Sequence, residues 1–348
     1  MEKKKVLVAM SGGVDSSAAA VLLQQQGYHC DGAMLHMLPE KNDTSAAEAV
    51  AQRLGMQFFA LDYRPLFAKE VMDRFCQEYC IGHTPNPCLY CNRNLKFGAL
   101  LDWALEHGYD YVATGHYARV QYNEEKGRWM LLRAENRQKD QSYVLYQLQQ
   151  KHLAHLLLPD GIFEKPEIRE LARAAGLQNA DKSDSQDICF IPDGDYTAFL
   201  RNYGKVEMVP GNFVDAQGHV LGQHKGLPCY TTGQRKGLGV SAGKHVYVVR
   251  KNGADNTILL GDNADLFRRE LTACDVNWIS GQIPTAPVRC TAKTRYSQSE
   301  SWAEVEVIGK GRIRVTFDEP QRAITAGQAV VLYDGDEVLG GGTIEDME

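Results

Sequence analysis

Two groups of residues in this chain have types and spacing that can do chemistry. The first is Ser11-Gly12-Gly13-Val14-Asp15-Ser16-Ser17, which follows the apolar run Val6-Leu7-Val8-Ala9-Met10 and precedes an alanine-rich stretch reaching Gly27. A buried strand running through two glycines into a helix leaves unpaired amides and the positive helix end facing one point, the arrangement that holds a phosphate. It is neither a Walker A loop, which needs Lys before Ser, nor the GxGxxG dinucleotide fingerprint. The second group is Cys88 and Cys91, within Asn86-Pro87-Cys88-Leu89-Tyr90-Cys91-Asn92, together with the distant Cys189 in Ser185-Gln186-Asp187-Ile188-Cys189-Phe190. If Asn92 begins a helix, the dipole stabilises the Cys91 thiolate as a nucleophile. The same CxxC also reads as half of a zinc site, with His83 and His116 as the available completions.

Alternating strands and helices must position these groups. Strands are expected over 31–35, 57–61 and 109–114, and helices over 65–80, 92–107, 141–150 and 166–175. A further helix, closing at Gly55, opens at Ser45 with Glu48 as a capping box. Such alternation to about residue 190 predicts an α/β domain with a doubly wound parallel sheet, its ligands at the carboxyl ends of the strands. Segments 117–122 and 129–132 look like a hairpin beside that sheet. Beyond Asp193 the chain turns to short Gly-, Val- and Thr-rich segments, which places a small β-rich domain at 194–266 and a C-terminal β-barrel at 267–348, after a catalytic domain at 1–193.

Length and composition narrow the class. A chain of 348 residues, 44% hydrophobic, buries a core large enough for two or three domains. No apolar run approaches the 18 residues of a membrane span, and Met1-Glu2-Lys3-Lys4-Lys5 leads into a strand without a cleavage site, so a cytoplasmic protein is expected. Nine cysteines, an odd number, suit a reducing compartment in which some thiols are chemically employed, while Cys30, Cys76, Cys229, Cys274 and Cys290 read as core. The net charge of −6 conceals a basic region: no Asp or Glu lies between Asp215 and Asp255, whereas Lys225, Arg235, Lys236, Lys244, Arg250 and Lys251 do. Lys293, Arg295, Lys310, Arg312 and Arg314 extend it. That field suits a polyanion, and equally a solvated basic surface.

The string SGGVDSS resembles the pyrophosphatase loop of the ATP-pyrophosphatase superfamily, whose members split ATP between the α and β phosphates to activate an oxygen as its adenylate. Six further stretches extend the likeness across the chain: TPNPCLYCN, ATGHYAR from Ala113, KDQSYVLYQL from Lys139, SQDICFI from Ser185, GQRKGLG from Gly233 and KTRYSQ from Lys293. On these the sequence is similar to the bacterial tRNA-specific 2-thiouridylases. The resemblance implies a Rossmann-like domain of the adenine nucleotide α-hydrolase type and sulfur transfer to C2 of the wobble uridine in the tRNA anticodon arm. It further implies use of ATP, Mg²⁺ and a persulfide from a sulfur-carrier protein, with neither membrane nor DNA as partner.

By the same resemblance, ATP would be held by Ala9, Met10, Ser11, Gly12, Gly13, Val14, Asp15, Ser16, Leu35 and Gly115, with Asp15 near Mg²⁺. Cys189 would carry the persulfide. Cys91 would be the nucleophile, ending in a transient disulfide with Cys189. Asn86, Pro87 and Cys88 would face the flipped base, and His116, Lys139, Asp140, Gln141, Arg295, Tyr296 and Gln328 would contact tRNA. Many relatives have Asp where this chain has Cys88, so an alternative is a [4Fe–4S] cluster on Cys88, Cys91 and Cys189 carrying the sulfide. Outside the family, the loop alone also suits an amide-forming synthetase, and the CxxC a non-catalytic zinc- or tRNA-binding module.

Overall fold

The computed structural model describes residues 3–38, 43–180, 188–240 and 243–345. Its first sheet holds five parallel strands in the order β3-β2-β1-β4-β7. These are β1 Lys5–Ala9, β2 His29–His36, β3 Phe58–Asp62, β4 Tyr111–Ala113 and β7 Leu156–Leu157, the hairpin strands β5 (Ala118–Asn123) and β6 (Arg128–Arg133) falling between β4 and β7 in the chain. β1 is buried on both faces: Val6 and Val8 pack with Val21 and Leu22 of helix α1 (Val14–Gln25), while Leu7 packs with Leu100 and Ala104. Period-two alternation with apolar residues on both sides requires helices on both sides, the doubly wound arrangement. Helix α2 is Ser45–Arg53, α3 spans residues 64–80, α4 spans 87–106, and α5 is Lys165–Ala174.

Three local expectations are corrected. The helix carrying the CxxC begins at Pro87, not Asn92: Asn86 is its N-cap, accepting from the Cys88 amide at 3.1 Å, and Pro87 suits a first turn whose amides are unpaired anyway. Ser45 and Glu48 form no capping box, because Thr44 is the N-cap and its hydroxyl bonds Glu48. The 141–150 helix reduces to short turns at Ser142–Leu145 and Gln150–Leu153.

The hairpin of β5 (Ala118–Asn123) and β6 (Arg128–Arg133) leaves the parallel sheet and pairs with the last strand of the chain, Leu132 opposite Glu337. Glu337, 6% exposed, receives Lys126 and Arg128 from the hairpin turn and β6. Next come a four-stranded sheet, β8 Gly211–Val214, β9 Val220–His224, β10 Tyr247–Asn252 and β11 Thr257–Gly261, and then the strands β12 Phe267–Trp278, β13 Val288–Lys293, β14 Ser301–Gly309, β15 Arg312–Arg322, β16 Ala329–Asp334 and β17 Glu337–Ile344. Pairing of β12 with β17 closes the last six into a barrel around Leu271, Val305, Ile313 and Phe317. Among the described residues no helix is long and apolar enough to cross a membrane.

Candidate active site

Gly13 is the N-cap of α1 in extended conformation and supplies no side chain, so the first amides of the helix are left for an outside acceptor. Gly12 reaches this turn through a left-handed φ of 72°, which favours glycine. Side chains hold the loop in place: Ser16 Oγ accepts from the Ser11 amide at 3.2 Å and donates to the Gly13 carbonyl at 3.2 Å, and Ser17 Oγ donates to the same carbonyl at 2.9 Å. Asn179 donates to Ser17 Oγ at 2.9 Å from the far side. Gly115, after β4, lies against the helix start so closely that a Cβ there would fall 2.6 Å from the Asp15 carbonyl carbon and the Ser16 nitrogen.

Asp15, expected near Mg²⁺, faces the cavity while being held from within the protein. Lys165 Nζ donates to both of its oxygens, at 2.6 and 2.9 Å, and the Tyr117 hydroxyl donates to Oδ1 at 2.9 Å. Behind this pair Asp160 is fully buried with both carboxyl oxygens unpartnered. Desolvation, and then the charge of Asp15, hold the Asp160 carboxyl well above the usual carboxylate range, with Lys165 opposing.

In front of the loop opens a cavity of about 350 Å³. Of the residues expected to hold ATP, Ala9, Met10, Ser11, Asp15, Ser16, Leu35 and Gly115 line it, while Gly12, Gly13 and Val14 form the turn behind. Cys189 lines it too, as do His116 and Gln141, which the resemblance assigned to tRNA. Thr114, within the ATGHYAR stretch, also lines it, as do Met34, Met37, Leu38 and Lys96, which had no sequence signal. His116 is fixed by two contacts, Nδ1 with the Thr114 hydroxyl at 2.7 Å and Nε2 with Lys96 Nζ at 3.5 Å. Burial first, then the Lys96 charge, push its pKa well below 6.5, so the ring is neutral and its Nε2 accepts from the ammonium.

The sequence brings Cys189 to this place through its neighbour. Phe190 sits among Phe67, Phe75 and Phe199, in a core shared with Tyr90, Cys91 and Leu95 of α4. Cys189 is exposed and Cys91 is 8% exposed behind Met37, its Sγ 3.9 Å from the Met37 sulfur; no disulfide joins them. Cys91 lies in the second turn of α4, away from the helix end, so the expected dipole activation is absent. Desolvation pushes its thiol up to about 11; Lys96 lowers it, and the nearby Cys189 and Cys88 raise it. Cys88 opens to solvent in a recess, its thiol raised by desolvation and eased by Lys96. Among the described residues no three His, Cys, Asp or Glu side chains gather to hold a metal ion. His83 pairs instead with Glu78 at 2.7 Å. Neither a zinc site nor a cluster-ligand set is assembled from these thiols, one of which is enclosed.

Several residues expected at tRNA also make contacts within the protein, some of them between modules. Arg295 Nη2 donates to the carbonyls of Thr232 and Ala323, each at 3.1 Å, and to the Thr325 hydroxyl at 2.6 Å. Gln328 donates to the Thr84 carbonyl at 2.5 Å, anchoring the loop before Asn86 and Pro87 to the barrel. Asp140 accepts from the Ala134 and Ser142 amides and the Ser142 hydroxyl, and the Lys139 amide is turned inward to Asn136. Tyr296 is 42% exposed. Arg295 and the unpredicted Arg322 line a cleft of about 450 Å³ with Thr231, Thr232 and Gln234, and among the described residues no carboxylate lines it.

Comparison with known proteins fits this architecture. The family model described as the tRNA methyl transferase HUP domain matches residues 4–193, the tRNA methyl transferase PRC-barrel domain 197–262, and the aminomethyltransferase beta-barrel domain 268–344. The tRNA-specific 2-thiouridylase MnmA of Acetivibrio thermocellus is 46% identical across 99% of this chain and 100% of its own length. That of Carboxydothermus hydrogenoformans is 49% identical across 99% and 98%, and that of Clostridioides difficile 47% across 98% of each. With identity of this order from end to end, the chain belongs to the tRNA-specific 2-thiouridylase family.

Proposed function

We propose that this protein uses ATP to replace O2 of the wobble uridine in tRNA by sulfur, releasing AMP and pyrophosphate. The observation that carries the reading is that Cys189 lines the same cavity as the glycine loop, so a sulfur on that thiol lies beside a bound nucleotide. Uridine O2 attacks the α-phosphate of ATP, and pyrophosphate leaves toward the amides at the start of α1. The step is needed because a urea-type carbonyl oxygen is a poor leaving group and AMP is a good one.

A sulfur-carrier protein loads Cys189 as a persulfide. Its terminal sulfur, as the anion, attacks C2; the C2–S bond forms, the C2–O2 bond breaks, and the electron pair leaves with AMP. The product is then joined to Cys189 through an S–S bond. Cys91, having lost its proton, attacks Cys189 Sγ; that S–S bond breaks, its electron pair stays on the sulfur at C2, and uridine N3 regains a proton. A Cys91–Cys189 disulfide results, and an external dithiol reduces it. Mg²⁺ would accompany ATP and offset the charge of its phosphates, with Asp15, held by Lys165 and Tyr117, near it. Asn86, Pro87 and Cys88 are the proposed neighbours of the flipped base. Lys139, Gln141 and Tyr296 are proposed to touch tRNA, while Arg295 and Gln328 hold the modules that grip it.

The test is a reaction of the full chain with ATP, unmodified tRNA and a persulfide donor, following AMP and the modified nucleoside by mass. One AMP per oxygen-to-sulfur exchange supports the reading. A methyl added instead, or AMP release stimulated by citrulline or a purine nucleotide but not by tRNA, defeats it.

A further inference from the structure

Lys96 is a cation in an unusual place. It lines the nucleotide cavity together with Ser11, Asp15 and Cys189, beside the apolar side chains of Met34 and Met37. Among the described residues it makes no ion pair with a carboxylate; its one polar neighbour in the cavity is His116 Nε2 at 3.5 Å. Asp15, the acid among the described residues of the cavity wall, is already paired with Lys165. An ammonium with no carboxylate beside it on the wall of this cavity is placed to meet the charge of an anion that enters.

The helix explains how Lys96, on the cavity wall, comes to lie on the same side as the thiol of Cys91 behind that wall. From Cys91 to Ala99, α4 hydrogen-bonds in i→i+5 fashion. Residues five apart point to different sides of an α-helix, but such π turns bring them to the same side, a device that recurs at functional sites. The charge of Lys96 accordingly reaches both Cys91 and Cys88, opposing the desolvation of each.

We infer that Lys96 is a catalytic residue of the sulfur-transfer step, its ammonium, beside His116 Nε2, placed to meet the point where the persulfide sulfur attacks and the AMP oxygen leaves. This rests on the reading given under Proposed function. As the C2–S bond forms and C2–O2 breaks, negative charge passes from the terminal sulfur to the departing phosphate ester oxygen. A cation on the wall of the cavity that Cys189 also lines stabilises that charge along the path, as preorganised electrostatic groups do. Lys96 keeps its proton throughout and exchanges no electrons.

The experiment compares Lys96→Met with Lys96→Arg in the full chain, with Cys189 preloaded as persulfide. ATP and tRNA dissociation constants, melting temperature, and single-turnover rates of AMP release and thiouridine formation are measured. The Met variant should bind ATP and tRNA within about threefold of wild type but form thiouridine roughly 100-fold more slowly, the usual effect of removing one such group. The Arg variant should recover at least about a tenth of the rate, since it restores charge and not shape. Lys96→Gln serves in place of the Met variant if that protein melts early. A wild-type rate in the uncharged variant overturns the inference. So does an ATP affinity that falls as far as the rate, which marks a ground-state phosphate contact. Wild-type protein that makes no thiouridine at all overturns instead the reading on which the inference rests.

Discussion

Replacing Gly115 by alanine tests whether the β4 end and the start of α1 are one rigid nucleotide cradle. The new Cβ falls 2.6 Å from the Asp15 carbonyl carbon, 2.6 Å from the Ser16 nitrogen and 2.7 Å from Asp15 Cβ. Backbone and Cβ atoms cannot rotate away, so reaching ordinary contact at about 3.4 Å demands a separation of roughly 0.8 Å between the two segments. Overpacking of this kind costs about 1–3 kcal/mol. If the loop yields, the amides that receive the phosphates shift and ATP affinity falls by about 5- to 150-fold, at one decade per 1.4 kcal/mol. If it holds, the same strain appears as lost folding stability. Equilibrium binding of ATP and urea unfolding, measured on one preparation, should therefore lose about 1–3 kcal/mol between them. Gly253→Ala is the control, because nothing lies within 4 Å of a Cβ there. A Gly115→Ala protein with wild-type affinity and wild-type stability would show that the two segments are not in tight register, and the cradle as described would be wrong.

Cys91→Ser and Cys189→Ser should each abolish thiolation while leaving tRNA affinity within a few-fold, because neither side chain meets phosphate; filter binding beside the mass assay checks both. Arg235 and Lys236 are exposed, and replacing both with glutamine should weaken tRNA binding and reduce the slope of log affinity against log salt by about 1.4. Glu337→Gln removes the buried partner of Arg128 and Lys126 and should cost about 3 kcal/mol in urea unfolding, less if the half-exposed Lys126 turns to water. Asp160 keeps its proton in the folded protein to a pH at which the unfolded chain has lost it, so the folded state binds more protons and wild type loses up to about 1.4 kcal/mol per pH unit as pH rises from about 4 toward its folded pKa. Asp160→Asn should remove that decline, and parallel pH profiles for the two proteins would show that Asp160 is not held neutral.

What was legible in the sequence was what is local. The glycine loop, the strand feeding it and the helix leaving it lie within residues 5–25, and Val6, Val8 and Leu7 announce by alternation a strand covered on both faces. The start of α4 was legible too but misread: the Asn-Pro pair at 86–87 is an N-cap followed by a first-turn proline, and Cys91 accordingly lost its supposed place at the helix end. What stayed hidden depends on contacts across the chain or on a change of helical period. Lys165 reaches Asp15 across 150 residues, Gln328 reaches Thr84 across 244, and the β5–β6 hairpin completes its pairing only on β17. No 3.6-residue pattern shows that Lys96 and Cys91 share a side, because the turns between them are wider than α.

The buried Cys91 makes these hidden contacts matter for the chemistry. A thiol pushed to about 11 is almost wholly protonated near neutrality, so a reaction that needs its thiolate cannot rely on the helix dipole that the sequence suggested. The described cation whose field reaches both Cys88 and Cys91 is Lys96, which offsets part of the desolvation of each thiol. The loop carrying Cys88 is held in turn by the barrel, through Gln328 on the Thr84 carbonyl and the Thr84 amide on Ala326 at 2.9 Å. Release of that tie should therefore disturb thiolation without touching ATP. Gln328→Ala is expected to lower the single-turnover thiolation rate while leaving the ATP dissociation constant unchanged, and an equal loss of both would mean that the barrel steadies the whole catalytic domain and not the cysteine loop in particular.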